Sequence, residues 1–137
     1  MIISKKFSFE AAHMLSDYKG PCANLHGHSY TGEVFIEGKP GDTSGMILDY
    51  NEIKNIINNF DHAIIFSSSS VWNTAEGELY EWACKHYMKV YVLGKKCTAE
   101  NIASEIQHVF FNYLPDTNIR VVLKETSSSE VDTGWLK

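Results

Sequence analysis

The chain has 137 residues, of which 44% are hydrophobic and 21% charged, and a formal charge of −5. That is apolar material for one domain, spanning residues 1–137, and no segment approaches the ~18–20 uninterrupted apolar residues of a membrane-spanning helix. The longest basic clusters are the pairs Lys5–Lys6 and Lys95–Lys96, too short for the basic stripe that follows a nucleic-acid backbone.

The opening segment MIISKKFSFEAAH alternates and carries Glu10, so it reads as a strand and not as a signal peptide. Phe7, Phe9, Ala11 and His13 share one face, with Lys6, Ser8, Glu10 and Ala12 on the other. A loop with Gly20, Pro21 and Asn24 follows, then a second strand from about His26 to Glu37. Asp49 opens a helix with Glu52 in capping-box position and Ile53, Ile56, Ile57 and Phe60 as its apolar stripe. A shorter helix is expected over 75–88, with Asn73 as its cap and Glu76 in its first turn. Residues 89–93 form a strand candidate. Thr98 starts a helix whose stripe is Ile102, Ile106, Val109, Phe110 and Tyr113, stopped by Pro115, and residues 120–125 form the last strand. The runs Ser67–Ser70 and Ser127–Ser129 read as surface loops. This order argues an α+β fold: a four-stranded antiparallel sheet with helices packed on one face.

Three of the six histidines fall within residues 13–28. His26 and His28, two apart in a strand, project from one face, and Gly27 between them puts no side chain on the other. If the two strands pair antiparallel, His13 reaches the same point. Three neutral imidazoles with a fourth position open form the pattern of a catalytic zinc site. Spacing leaves Cys22 two roles, a general base near the ion or a fourth sulfur ligand that closes the site. Cys22, Cys84 and Cys97 stand at unrelated spacings, which suits a reduced, cytoplasmic protein better than a disulfide framework. His86 and His108 carry no assigned chemistry. Cys84 reads as a small buried hydrophobe, and Trp72, Tyr80, Trp82 and Tyr87 as packing residues.

Phe9-Glu10-Ala11-Ala12-His13 followed by Cys22-x-x-x-His26-Gly27-His28-Ser29-Tyr30 resembles the signature of the 6-pyruvoyl-tetrahydropterin synthase family. Gly45 to Tyr50, Asp61-His62, Thr98-Ala99-Glu100 and Lys124-Glu125-Thr126 are similar to further blocks of that family, in family order. The three-residue gap between Cys22 and His26 resembles the carboxy-forming subgroup of deazapurine (queuosine-type) biosynthesis. Departures are Cys97 where proline is usual, Ala63-Ile64-Ile65-Phe66 in place of a Leu-Asn stretch, a longer segment between Ser67 and Gly94, and the tail after Thr126.

The resemblance implies the tunnelling fold, with sheets of several subunits joined into an oligomeric β-barrel. It also implies a homo-oligomer, typically a hexamer made of two trimers, with sites between subunits. The implied metal is Zn2+, held by His13, His26 and His28. The implied reaction converts 7,8-dihydroneopterin triphosphate to 6-carboxytetrahydropterin, releasing acetaldehyde and triphosphate. Cys22 would be the base. Asp61 would orient His62 as the second proton-transfer group, although by position alone the pair reads equally as a helix C-terminal Asp and a capping His. Glu125 would receive the pterin's N–H donors, while a carboxylate at that strand end is otherwise simply solvated. Thr98 and Glu100 would line the pocket, and are explained as well by an N-cap and a first-turn carboxylate. The partner is thus a small pterin, with no nucleic acid and no membrane. The alternatives are a sister pyruvoyl or side-chain lyase activity on the same scaffold, and a zinc-stabilised binding module without catalysis.

Overall fold

Alternation over the first thirteen residues yields β1 (Ile2–His13), which returns through residues 14–25 into β2 (His26–Glu37). The computed structural model, which describes residues 1–137, pairs these strands antiparallel along their whole length, from Ile2 opposite Glu37 to His13 opposite His26. On the far side of β2 lies β5 (Asn118–Thr126), followed outward by β6 (Ser129–Asp132). On the far side of β1 lie β3 (Ala63–Phe66) and β4 (Val90–Val92), both parallel to their neighbours.

The sheet therefore has six strands in the order β4-β3-β1-β2-β5-β6 and is mixed, which corrects the expected four-stranded antiparallel sheet. The reason is local. Ala63-Ile64-Ile65-Phe66 is a continuous apolar run, nearly all of it buried, and lacks the alternation that betrays a half-buried strand. The serine run 127–129 is not a plain loop either. It turns the chain back so that Ser129 pairs with Thr126 and opens β6. The sheet keeps two open edges, β4 and β6, and closes no barrel within one chain.

Three helices accompany the sheet: α1 (Tyr50–Ile57), α2 (Thr74–Lys85) and α3 (Ala99–Tyr113). Ile53, Ile56 and Ile57 of α1 and Ile102, Ile106 and Phe110 of α3 pack against Phe9, Tyr30, Val34, Ile36, Val121 and Leu123 of the sheet. Each such large side chain contributes about 1.5–3 kcal/mol on full burial, so this seam attaches the helices to one face. Asp49 caps α1, but through the N–H of Asn51 at 2.8 Å. The Glu52 carboxylate instead accepts the Tyr113 hydroxyl at 3.0 Å, so the expected capping box does not form and Glu52 ties α1 to the end of α3. Asn73 caps α2 as expected, accepting from Glu76 N–H at 2.9 Å.

Two packing expectations need correction. Trp72 and Tyr80 do pack on Phe66, whereas Trp82 and Tyr87 are exposed, Tyr87 almost completely. Cys84 is exposed as well, since Glu76 and Ala83 are the only residues of α2 that are buried.

Candidate metal centre and active site

The register that sets His13 opposite His26 and Ala11 opposite His28 puts all three imidazoles on the helix-bearing face, at the end of the β1–β2 pair. One ring nitrogen from each lies within 4.8 Å of those of the other two. Gly27 between the two β2 histidines runs close to its partner strand, where a Cβ would come within 3.1 Å of Ala11 O.

The outer hydrogen bonds determine which nitrogens are free. His13 Nδ1 lies 2.8 Å from Cys97 O, and His26 Nδ1 lies 2.7 Å from Asn24 O. A carbonyl only accepts, so both Nδ1 atoms carry the proton and both Nε2 atoms present a lone pair. The Nε2 atoms of His26 and His28 are buried without a hydrogen-bond partner. Buried polar atoms rarely stay unpaired, and lone pairs gathered at one point are the donor set of a metal ion. Burial lowers the pKa of His13, outweighing the opposing pull of the Cys97 carbonyl and Glu125, and so favours the neutral, ligating form. The three residues fit a zinc ion.

Glu125, at the end of β5, faces this cluster. Its Oε1 stands 3.3 Å from Nε2 of His13 and 3.3 Å from Nε2 of His28. Sequence reasoning missed a further participant, Tyr30. Fully buried and stacked on Phe9 at 4.8 Å, it donates its hydroxyl to Glu125 Oε1 at 3.3 Å. Burial and the neighbouring carboxylate push its pKa up, so it remains a donor. Its position two residues beyond His28, on the same strand face, was the available signal.

Cys22 sits on a single 3-10 turn, Pro21–Ala23, in the loop between the ligand strands, half-buried and free. Its carbonyl accepts the N–H of Leu15 at 2.9 Å, which fastens it close to the strand end that carries His13. The thiol does not join the histidine group.

Asp61 and His62 do face each other, with Oδ2 and Nδ1 3.0 Å apart. The turn that brings β3 alongside β1 places His62 in the left-handed region, φ 58°. Asp61 Oδ1 accepts Glu10 N–H at 2.9 Å, and His62 N–H donates to Glu10 O at 2.6 Å. The Glu10 N–H chiefly, with His62 and Lys89, holds the Asp61 carboxyl below its ordinary pKa. Glu10 precedes His13 by three residues, roughly 10 Å along a strand, and the His62 ring is largely exposed. Within one chain the pair therefore stands apart from the three histidines.

Thr98 and Glu100 occupy the positions that capping explains. Thr98 Oγ1 accepts Asn101 N–H at 3.4 Å, and Glu100 is exposed in the first turn of α3. Thr98 follows Cys97, whose carbonyl holds His13, so the start of α3 adjoins the site.

The profile of the family described as 6-pyruvoyl tetrahydropterin synthase matches residues 2–136. A Haemophilus influenzae protein named 6-carboxy-5,6,7,8-tetrahydropterin synthase is 36% identical over 109 residues, covering 74% of this chain and 75% of that one. A Rickettsia bellii protein of the same name is 32% identical over 114 residues, covering 79% and 78%. Among solved structures, a 6-pyruvoyltetrahydropterin synthase from Plasmodium vivax superposes with a TM-score of 0.63 at 18% identity, over 96% of both chains. An uncharacterized protein from Wolinella succinogenes superposes with a TM-score of 0.67 at 22% identity, again over 96% of both. These two establish likeness of fold.

Proposed function

The chain belongs to the 6-pyruvoyl tetrahydropterin synthase family, and we propose that it acts as a 6-carboxy-5,6,7,8-tetrahydropterin synthase with zinc held by His13, His26 and His28. The reaction would convert 7,8-dihydroneopterin triphosphate to 6-carboxytetrahydropterin, with loss of acetaldehyde and triphosphate. The observation that carries this reading is the convergence of three imidazole nitrogens, beside a carboxylate and with the Cys22 thiol outside the group. The shared name of the relatives supports the carboxy product.

A bound zinc ion supplies Lewis acidity that polarises substrate oxygens and acidifies the adjoining C–H bonds. Cys22, as base, removes a proton from the side-chain carbon. His62, kept in one tautomer by Asp61 at Nδ1, moves the second proton through Nε2. Glu125 accepts the pterin's N–H donors and is held in place by Tyr30. Thr98 and Glu100 edge the pocket at the start of α3.

The separation of Asp61–His62 from the histidines within one chain favours a homo-oligomer, a hexamer built from two trimers, in which a neighbour supplies the pair. Joining chains through their open sheet edges into a barrel would also protect those edges. No helix is long and apolar enough to cross a membrane, and the three free cysteines suit the cytoplasm.

The test is direct. The zinc-loaded protein, incubated with 7,8-dihydroneopterin triphosphate, should release acetaldehyde and a 6-carboxy pterin. A pyruvoyl side chain or glycolaldehyde would overturn the assignment.

A further inference from the structure

Behind His13 lies a buried polar network that the proposed reaction does not use. The Cys97 carbonyl that orients His13 belongs to a residue fixed on two sides. Its N–H donates to Ser67 Oγ at 3.1 Å, and its thiol donates to Met14 O at 2.9 Å. Ser67 is fixed in turn, its N–H donating to Glu76 Oε1 at 2.8 Å. The other oxygen of Glu76 accepts the Ser16 hydroxyl, and Ser16 Oγ accepts the N–H of Asn73 at 3.0 Å. Glu76, Cys97, Ser67, Ser16 and His13 are all at most 2% exposed.

Two features of this network stand out chemically. First, Glu76 is a fully buried carboxylate that takes part in none of the protein's ion pairs. Both of its oxygens receive donors, so an acceptor-only group is required, and an amide would turn its own N–H groups toward one of them. Second, the Ser67–Cys97 bond depends on an N–H at position 97. Proline, usual in the resembling family, has none. The departure at 97 and the buried carboxylate on α2 are thus parts of one chain of contacts, which draws together the segments leaving β1 and β3 and those entering α2 and α3.

We propose that Glu76, acting through Ser67 and the Cys97 carbonyl, is a positioning residue that sets how tightly His13 holds the metal. The proposal rests on the reading of His13, His26 and His28 as a zinc site. Outer partners fix a ligating imidazole's tautomer and orientation, and losing one typically costs about 10- to 100-fold in metal affinity.

The experiment measures zinc dissociation from the full-length protein by competition with a chelator of known affinity, together with thermal unfolding of the metal-free form. Wild type, Glu76→Gln, Ser67→Ala and the core variant Ile102→Val are compared. Glu76→Gln and Ser67→Ala, which loosen the Cys97 carbonyl without removing it, should each weaken zinc binding severalfold, toward about 10-fold, the lower end of that range. Ile102→Val should lower the unfolding temperature while leaving zinc affinity unchanged. Ser67→Ala removes a single hydroxyl and serves if Glu76→Gln does not fold. Zinc binding in both network variants within about twofold of wild type would overturn the positioning role and leave the metal site standing. A wild type that holds no zinc would overturn the metal site itself, and the positioning role with it.

Discussion

His62 Nδ1 lies 3.0 Å from Asp61 Oδ2, a contact made possible by the left-handed backbone at His62. In helix or strand, consecutive side chains point apart. The cost of that conformation is met by the bonds of both residues to the Glu10 backbone, and strain held this way is a common property of functional sites. If the pair transfers a proton, Asp61→Asn should lower kcat by about 10²- to 10⁴-fold, with zinc content unchanged. Steady-state kinetics beside metal analysis checks this, and a variant that turns over normally would exclude the dyad.

The division of labour between ligands and base is separately testable. His28→Ala should lose both bound zinc and turnover, since it removes one of three converging donors. Cys22→Ala should keep zinc and lose turnover. In the cobalt-substituted protein without substrate, no strong sulfur-to-metal charge-transfer band should appear. Such a band, or zinc loss in Cys22→Ala, would make the thiol a ligand.

Tyr30→Phe removes one hydroxyl and keeps the ring that stacks on Phe9. Loss of its hydrogen bond to Glu125 is expected to cost about 0.5–1.5 kcal/mol, seen as a severalfold weaker pterin affinity with zinc content preserved. Fluorescence titration with an unphosphorylated pterin reports it. Unchanged affinity would mean that Glu125 is held by other contacts or does not meet the pterin.

At the opposite side of the sheet, Arg120 Nε donates to Asp132 Oδ1 at 2.9 Å, with a second bond from Nη2 to Oδ2. Arg120 holds the Asp132 carboxyl down to about 2, from 3.8. The folded-state pKa is depressed, so this pair's contribution to stability is complete above 3.8 and disappears as pH falls through about 2. Denaturant unfolding of wild type and Asp132→Asn should therefore differ at pH 6 and converge toward pH 2. A constant difference across that range would show that the pair's charge is immaterial to β6.

Much of this was legible in the sequence where physics is local. Strand alternation places His26 and His28 on one face and leaves His13 to join them once the two strands pair antiparallel, as they do, and the second strand runs from His26 to Glu37 as expected. Asn73, Asp49 and Thr98 were recognisable as caps because a cap is a short-range bond. What escaped depends on contacts distant in sequence. The run 63–66 forms a strand only because β1 and β4 lie on either side of it. Glu76 reads as an ordinary first-turn carboxylate in the sequence, and only the folded chain brings Ser16 and Ser67 onto it. Asp61 and His62 read as a motif, but their contact requires a positive φ at His62, which is uncommon for any residue but glycine and is fixed here by bonds to the distant Glu10 backbone.

The loop 14–25 leaves the sheet at His13 and re-enters at His26, residues that stand directly opposite each other. An ion gripping both would knot the two feet of this excursion together, with Cys22 riding on it. Sulfur and ion would then be carried along as one piece, their mutual spacing governed by the twelve intervening residues together with the contacts that Cys97 makes to Met14 and Glu76 makes to Ser16. Grafting that excursion with its two flanking strands should transplant the spacing only if Cys97 and Glu76 travel with it.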